Sequence, residues 1–384
     1  MLSFLKRVFR KISRIVLLAI GPLLPINKSK IILSSYCGND YSDNPKYIAN
    51  ELLRRNTNVE IIWAIREEIR PTFIPEGVKP CIIGTPEYVF HLLTSKVWID
   101  NCRKEFVYKR KNQTYIQTWH GFAIKRIESD VADKLGSAYV NRAIRDSKAI
   151  DLIISEGSYM TNIYKNSFWY SGEVAEWGSP RYDVILDPNF DKKSIRARLS
   201  IPDDTKIILY APTFRANKSL EPYAIDTKRV IEACEARFGG KFIFMTRLHP
   251  NLTRADISLD FGDAIDASTY PDIQELLAIS DVVISDYSSL IVDFALTKRP
   301  CFQFATDYPE YRKDRDLYFE LNELPFAFTQ SNDELVSAIE HFDSAEHTKK
   351  INAFLESVGM VLDGDSSKKC VDFILEKMGI TEKE

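Results

Sequence analysis

From residue 30 onward, short apolar runs alternate with longer stretches of helical periodicity, which is typical of parallel α/β units. The runs, rich in β-branched and aromatic residues, predict strands at 30–36, 59–65, 79–84, 96–101, 115–119, 152–157, 206–212, 241–250, 281–289 and 301–306. The periodic stretches predict helices at 44–56, 86–95, 138–149, 227–238, 272–279 and 332–343. This order predicts an α/β protein with two Rossmann-like domains facing a central cleft, and ligands outside the carboxyl ends of the strands.

A stretch dense in Pro, Asp and Asn, residues 179–191, separates the two series of strands. The chain has 384 residues, more than the about 250 to 300 that a single hydrophobic core usually organises. We therefore predict an N-terminal Rossmann-like domain over 28–185 and a C-terminal one over 186–384.

The segment 1–27 has a different pattern. On a helical projection its apolar residues share one arc, and five basic residues between Lys6 and Arg14 occupy the opposite arc. A glycine and two prolines interrupt the apolar run 15–26, which is shorter than the ~20 residues that span a bilayer. The pattern predicts an amphipathic helix lying on an anionic membrane surface. A helix docked on the protein's own body and a signal peptide are the alternatives.

Composition excludes several classes of protein. With 45% apolar and 27% charged residues, the chain is typical of a globular protein. A net charge of -3 argues against a general nucleic-acid binder, because such proteins neutralise many phosphates with basic residues. The six cysteines include no CxxC pair, which favours neither a zinc cage nor a disulfide framework, and indicates a reducing cytoplasm.

Polar clusters follow the apolar runs of the second series. These clusters are Pro212, Thr213 and Arg215 after the first run, Arg247 and His249 after the second, and Asp286, Ser288 and Ser289 after the third. The two serines fall where a helix is predicted to begin, and a helix N-terminus binds anions without a metal. The alternative is that Ser288 only caps the helix.

His120 lies at a predicted strand end, within "QTWHGFAIKRI". Gly121 permits close approach of the backbone, and Lys125 and Arg126 add positive charge. Histidine is the side chain best suited to accept a proton near pH 7. The pattern favours a general base, with a structural histidine as the alternative.

Six motifs occur in order along the chain: "QTWHGFAIKRI", "GSPRYDVIL", "ILYAPTFR", "RLHP", "ISDYSSLIVDFALTKRP" and "DGDSSKKCVDFIL". Together they resemble the CDP-glycerol glycerophosphotransferase family, the teichoic acid primases and polymerases, from about residue 47 to 374. The resemblance implies a GT-B fold. It also implies that the C-terminal domain holds a CDP-alcohol and that the acceptor enters from the N-terminal domain.

The resemblance also implies roles for individual residues. These are His120 as general base, His249 as a second functional histidine, Arg181 and Arg247 at phosphate, Ser288 and Ser289 at the diphosphate, and Pro212 and Thr213 at the nucleotide. We include Gly121, Arg215 and Asp286 among the predicted substrate-binding residues. The chain departs from the family pattern after Gly121, where Phe122 and Ala123 replace a Thr-Pro pair. We expect this departure to affect the choice of alcohol or acceptor.

The predicted reaction is transfer of a polyol phosphate, most simply glycerol phosphate, from a CDP-alcohol to a hydroxyl of a lipid-linked or polymeric acceptor. CMP leaves, and neither a metal nor a cofactor is required. The resemblance implies a peripheral protein at the cytoplasmic face of the membrane, acting in teichoic acid or capsule synthesis. The alternatives are a CDP-ribitol ribitolphosphotransferase, a GT-B glycosyltransferase that uses a nucleotide sugar, and a binding module that has lost the reaction.

Overall fold

The computed structural model describes residues 13–68, 74–105, 107–215, 220–248 and 261–380. Contacts divide the chain into two compact units. Unit 1 comprises Met1–His120, Glu128–Asp183 and Asp363–Glu384, and unit 2 comprises Gly121–Ile127 and Val184–Leu362.

The described residues of unit 1 form a seven-stranded sheet of order β3-β2-β1-β4-β5-β6-β7, and every neighbouring pair is parallel. Its strands are β1 (Asn27–Ser34), β2 (Glu60–Ile65), β3 (Val78–Ile82), β4 (Ser95–Asp100), β5 (Thr114–Gln117), β6 (Leu152–Ser155) and β7 (Glu173–Glu176). Its helices are α1 (Asp43–Arg54), α2 (Pro86–Thr94), α3 (Ser137–Ser147), α4 (Ser158–Ser167) and the C-terminal helix Ser366–Met378. The strand order reverses between β1 and β4, which makes their carboxyl ends the topological switch point of this sheet.

The described residues of unit 2 form a six-stranded parallel sheet of order β10-β9-β8-β11-β12-β13. Its strands are β8 (Thr205–Tyr210), β9 (Lys241–Thr246), β10 (Ile265–Asp266), β11 (Val282–Ser285), β12 (Cys301–Phe304) and β13 (Ala327–Thr329). Its helices are α5 (Asp183–Leu186, beginning at the unit boundary), α6 (Lys192–Arg198), α7 (Thr227–Phe238), α8 (Ile273–Ile279), α9 (Leu290–Ala295), α10 (Tyr308–Asp314), α11 (Asn332–Glu340) and α12 (Ser344–Ser357). Here the order reverses between β8 and β11.

The C-terminal helix Ser366–Met378, labelled α13, belongs to unit 1, whereas the predicted boundary assigned it to the C-terminal domain. Its apolar face, including Val371 and Ile374, is buried in the same core as Ile48 and Leu52 of α1. The Asp183 carboxylate accepts hydrogen bonds from the first backbone amides of α13, at 3.2 and 2.7 Å. Burial of this apolar face decides the placement of the helix.

The segment Gly121–Ile127 belongs to unit 2, although the prediction placed it in the N-terminal domain. The Tyr318 amide donates to the Ile124 carbonyl at 2.7 Å, and Lys125 forms an antiparallel bridge with Leu317. The chain therefore passes from unit 1 to unit 2 directly after His120.

The alternation of strands and helices is confirmed, but the sequence pattern did not predict every element, and the helices α4, α12 and α13 were not among those predicted. Strands β7, β10 and β13 were not predicted, since they have only two to four residues and lie toward sheet edges. The predicted strand 281–289 ends at Ser285, where the polar cluster begins.

Part of the predicted amphipathic helix, residues 1–12, lies outside the described residues. Residues 13–20 are helical, a short 3₁₀ turn covers Gly21–Leu23, and β1 begins at Asn27. Within the described ranges, no helix combines the length and the apolarity that crossing a membrane requires.

Candidate active site

His120 lies three residues beyond β5, on a backbone that is held in an unusual conformation. The preceding residue, Trp119, has φ of 51°, in the left-handed region that bulky residues rarely adopt. Its amide donates to the Gln117 side chain at 3.0 Å, and its carbonyl accepts from Asn44 Nδ2 at 3.1 Å. Such strain costs on the order of 1 to 3 kcal/mol and persists only where surrounding contacts impose it. These contacts set the direction of the His120 side chain.

The imidazole of His120 is fixed in one tautomer. Its Nδ1 lies 2.5 Å from the Asn101 carbonyl oxygen, which only accepts hydrogen bonds. Nδ1 must therefore carry a proton, and in the neutral ring Nε2 is left as the basic nitrogen. The Trp119 ring lies beside the imidazole with centroids 4.3 Å apart, and the Tyr36 ring meets it edge-on at 5.7 Å.

Two buried charges surround His120. Arg181 donates from Nη1 to the His120 carbonyl at 2.8 Å and to Asp43 Oδ2 at 3.2 Å. Burial lowers the pKa of His120, while its hydrogen bond to the Asn101 carbonyl and the charge of Asp43 act to raise it. The imidazole is consequently neutral near pH 7. Arg181 is only 2% exposed, and its contacts make it a support of the His120 backbone.

A second buried network, which the sequence analysis missed, supports Trp119. Arg103 donates to Glu128 at 2.9 Å and to the Ser147 hydroxyl at 2.8 Å, and its guanidinium lies 4.7 Å from the Phe168 ring centroid. Phe168 in turn packs edge-on against Trp119 at 4.7 Å. This arginine follows β4 in the sequence "VWIDNCR", residues 97–103, but the sequence alone does not show its partners.

In unit 2, the loops after β8 and β11 are tied together by one carboxylate. Asp286 accepts from the amides of Thr213 and Tyr287 at 2.9 and 2.6 Å, and it forms an ion pair with Arg215 at 2.8 Å. Arg215 also pairs with Asp307 at 2.6 Å. The Arg215 side chain is only 4% exposed and is engaged by both carboxylates. These charges hold the loops in place.

The hydroxyl groups at the same strand ends are differently placed. Ser288 and Ser289 are partly exposed, and Ser289 makes no side-chain capping hydrogen bond to α9. The Ser288 hydroxyl accepts from Leu290 N at 3.4 Å, which is longer than a good hydrogen bond. The buried Thr213 hydroxyl makes no hydrogen bond within the described part of the chain, and the buried Pro212 precedes it. Capping therefore accounts poorly for the two serines.

Lys125 is the cation that the sequence analysis noted only in general terms. It is partly exposed, and its Nζ lies 5.8 Å from the Tyr311 ring centroid. Burial lowers its pKa to about 8, with further lowering by Arg315 and Arg215 and an opposing effect of Asp286. Near pH 7 it is a charged ammonium group whose solvation by water is incomplete, which suits it to bind an anion.

The positions of the remaining predicted residues say less about their roles. Arg247 follows β9 and is partly exposed, and its amide donates to the Tyr210 carbonyl at 2.9 Å. Gly121 is buried and begins the segment of unit 2 that follows His120. The predicted second histidine, His249, lies outside the described residues.

Phe122, where the chain departs from the family pattern, packs within unit 2. Its ring stacks on Phe319 with centroids 6.1 Å apart and meets Phe354 edge-on at 5.9 Å. It is 3% exposed. The aromatic ring at this position contributes to the core of unit 2.

One group of metal-binding residue types occurs in the described part of the chain. The ligand atoms of Cys81, Glu87 and His91 lie within 4.8 Å of one another. However, the Lys30 ammonium lies 3.5 Å from His91 Nδ1, where a metal-bound histidine normally donates to an acceptor. This group is therefore poorly suited to hold a cation.

Comparison with known proteins defines the class of protein. The family described as CDP-Glycerol:Poly(glycerophosphate) glycerophosphotransferase matches residues 17–376. The chain belongs to this family, which confirms the resemblance seen in its motifs and the class of enzyme that they implied.

Two curated relatives match the chain over nearly their whole length. A teichoic acid poly(glycerol phosphate) polymerase of Bacillus spizizenii is 30% identical over 97% of both chains. A teichoic acid glycerol-phosphate transferase of Staphylococcus aureus is 30% identical over 91% of this chain and 94% of its own. Other relatives are longer: the chain spans 51% of a poly(glycerol phosphate) polymerase of Staphylococcus epidermidis.

The solved structure of the wall teichoic acid polymerase TagF is similar throughout. It has 28% sequence identity, a TM-score of 0.81, and coverage of 99% of this chain and 98% of its own. A variant of TagF with CDPG gives a TM-score of 0.82. The predicted GT-B class, with two parallel α/β sheets, is confirmed.

Proposed function

We propose that this protein transfers glycerol phosphate from CDP-glycerol to a hydroxyl group of a teichoic-acid-type polymer acceptor. The observation that carries the proposal is the tautomer of His120, whose Nδ1 donates to the Asn101 carbonyl and whose Nε2 is left basic. A neutral imidazole oriented in this way is suited to remove the proton of an attacking hydroxyl. Membership of the glycerophosphotransferase family supports CDP-glycerol as the donor of the glycerol phosphate group.

In the proposed reaction, the acceptor oxygen attacks the β-phosphorus of CDP-glycerol. A new P–O bond forms, the bond from the β-phosphorus to the bridging oxygen breaks, and CMP leaves. The acceptor proton goes to Nε2 of His120, in unit 1. Thr213, Ser288, Ser289 and Lys125, in unit 2, donate to the diphosphate and stabilise the charge that develops on it.

Arg181 and Arg215 take indirect roles in this proposal. Arg181 holds the His120 carbonyl and Asp43, and Arg215 holds Asp286 and Asp307. Because buried ion pairs engage both guanidinium groups, we assign them to positioning the base and the anion-binding loops. Arg247 remains a proposed phosphate ligand, since its side chain is partly exposed.

A membrane surface is the proposed location of the acceptor. Ile15, Val16 and Ile20 are 58, 51 and 40% exposed on the short helix 13–20, and Leu23 is 84% exposed. Such a row of apolar side chains favours insertion into the interface of a bilayer. We therefore propose a lipid-linked acceptor and a peripheral position at the cytoplasmic face.

Membrane association can be measured by flotation with phosphatidylglycerol vesicles. Replacing Ile15, Val16 and Ile20 by serine should abolish flotation, and replacing the similarly exposed Leu362 by serine should leave it unchanged. Equal flotation of both variants would contradict the membrane role of this segment.

The donor is tested by incubating the purified protein with acceptor-bearing membranes and a panel of CDP-glycerol, CDP-ribitol and UDP-sugars. We expect CMP release with CDP-glycerol and incorporation of glycerol phosphate. The ribitol compound belongs in the panel because a ribitol-phosphate polymerase of Staphylococcus aureus is also 30% identical, over 375 residues. Turnover with CDP-ribitol alone, or release of UDP, would refute the proposed donor.

A further inference from the structure

Two cysteines occupy the topological switch point of the unit 1 sheet, beside His120. Strands β1 and β4 are parallel neighbours whose last paired residues are Ser34 and Asp100. Cys37 follows β1, and Cys102 follows β4. The Tyr36 amide donates to the Asn101 side chain at 2.7 Å, which joins the two loops directly before the cysteines.

The two thiols interact with each other. The neighbouring Cys102 thiol lowers the pKa of Cys37, and the neighbouring Cys37 thiol raises the pKa of Cys102. The Arg66 guanidinium also lowers the pKa of Cys37, and its Nε donates to the Cys37 carbonyl at 3.0 Å. Cys37 therefore has the greater thiolate character, and the thiolate is the form that reacts with oxidants.

Exposure separates this pair from the rest of the cysteines. Cys37 and Cys102 are partly accessible to solvent, whereas Cys81, Cys234 and the other two cysteines are buried. Redox-sensitive cysteines are typically accessible, have thiolate character and lie next to a second, resolving thiol. Cys37 is accessible and has thiolate character, and Cys102 is the neighbouring thiol that can act as the resolving cysteine.

Cys102 also contacts the proposed base. Its Sγ lies 3.8 Å from His120 Nδ1, the atom that donates to the Asn101 carbonyl. Since Asn101 and Cys102 are consecutive, a covalent change at the Cys102 sulfur alters the segment that fixes the tautomer of His120.

We propose that Cys37 and Cys102 form a site of reversible oxidation, at which hydrogen peroxide converts the two thiols into a disulfide. In the first step the Cys37 thiolate attacks the peroxide oxygen, an S–O bond forms, the O–O bond breaks, and the leaving hydroxide takes up a proton to become water. In the second step the Cys102 sulfur attacks the Cys37 sulfur, the S–S bond forms, and the S–O bond breaks. The departing hydroxide takes the Cys102 proton, so two thiols are oxidised and one peroxide is reduced to two waters. A dithiol reductant reverses the change.

The disulfide slows glycerol phosphate transfer, because it draws the Cys102 sulfur toward Cys37 and displaces the Asn101 carbonyl from His120. This second part rests on the proposed function, whereas formation of the disulfide does not. The two parts have separate readouts.

The test treats the purified full-length protein with hydrogen peroxide, removes excess oxidant with catalase, and alkylates the remaining thiols under denaturing conditions. Reduced protein, which has six cysteines, should take up six alkyl groups, and oxidised protein should take up two fewer. Peptide mapping should identify a disulfide between Cys37 and Cys102. Uptake of six groups after peroxide, or a bond between other cysteines, would overturn the site.

The link to His120 is tested by CMP release before and after peroxide. Wild-type turnover should fall by roughly tenfold or more, since a misplaced general base loses part of a contribution of about 10² to 10⁴. Dithiothreitol should restore it. Cys37→Ser should retain basal turnover and resist peroxide, whereas the matched variant Cys81→Ala should respond as the wild type does.

The remaining outcomes are distinguishable. A Cys37–Cys102 disulfide that leaves turnover unchanged would confirm the site and overturn its link to His120. Equal loss of turnover by Cys37→Ser under peroxide would overturn that link as well. A reduced protein that releases no CMP refutes the proposed function, and the count of alkylated thiols still decides the disulfide.

Discussion

The two switch points of this protein have the same topology but distribute their polar groups differently. In unit 1, the charges around His120 satisfy one another, and a single imidazole nitrogen is left basic. In unit 2, Asp286 and Arg215 bind the loops together, hydroxyl groups lie at the strand ends, and Lys125 lies in the segment Gly121–Ile127, where the charge of Asp286 acts on it. The first arrangement orients a base, and the second offers donors to an anion. We propose that these two arrangements, built on the same sheet order, serve different steps of the transfer reaction.

The substitution with the largest expected effect distinguishes the role of His120 in unit 1 from anion binding in unit 2. His120→Ala should reduce kcat by about 10² to 10⁴, because general base catalysis is lost. The affinity for CDP-glycerol should remain within about twofold, since the proposed anion-binding groups are in unit 2. Steady-state CMP release and calorimetric titration with CDP-glycerol measure the two quantities. Near-normal turnover would exclude His120 as the base.

The unit 2 half is tested by replacing Ser288 and Ser289 together by alanine. We expect KM for CDP-glycerol to rise by roughly 10- to 100-fold, because each hydrogen bond to a charged group contributes about 1.5 to 3 kcal/mol and part of that is recovered from water. Ser357→Ala, at the end of α12, is a matched control for loss of a hydroxyl. If the serines only cap α9, the melting temperature falls and KM does not change.

This comparison also shows what the sequence was able to reveal. The strand ends that carry His120, Asp286 and Ser288 were predictable, because an apolar run that stops at a polar cluster marks the end of a buried parallel strand. The ion pairs were not. Arg181 pairs with Asp43, which is 138 residues away in the sequence, and Arg215 pairs with Asp307, which is 92 residues away. Both arginines were predicted to bind substrate, and only the folded chain shows that carboxylates engage them.

The same limitation explains why the sequence placed α13 in the wrong domain. The segment that forms this helix fell within the predicted C-terminal domain, but the amides of Ser366 and Ser367 donate to Asp183, which lies 183 and 184 residues earlier in the sequence. A periodic apolar face shows that a helix will be buried and does not identify the sheet on which it packs.

Lys125 gives a pH-dependent test of the anion-binding half. Its pKa of about 8 means that the ammonium form is present below pH 8 and is lost above it. We expect kcat/KM for CDP-glycerol to fall as the pH rises through about 8, and Lys125→Met to lower kcat/KM at pH 7 by roughly tenfold, the effect of one charge-assisted hydrogen bond. Lys125→Arg should restore activity at pH 7 and move the decline to higher pH. A decline near pH 8 that persists in Lys125→Met would assign it to another group.

The smallest expected effect is that of replacing Asp43, and it is specific to the environment of His120 in unit 1. Its carboxylate raises the pKa of His120, and Arg181 lowers it. Asp43→Asn removes the first influence and leaves the charge of Arg181 without its partner, so both changes lower the pKa of His120 further. The neutral, active form of the base then persists to more acidic pH. The acid limb of kcat/KM, which should report the lowered pKa of His120 in the wild type, should therefore shift to more acidic pH.

Turnover of Asp43→Asn at pH 7 should change little, because His120 is already neutral there. A control is Asp372→Asn, which removes a carboxylate that pairs with Arg55, directly after the C-terminal end of α1, whereas Asp43 begins that helix. The control should leave the acid limb in place. An upward shift in Asp43→Asn would mean that the limb reports a group other than His120, and loss of activity at every pH would mean that Asp43 chiefly maintains the fold around Tyr36 and Asn101, to which it is hydrogen-bonded.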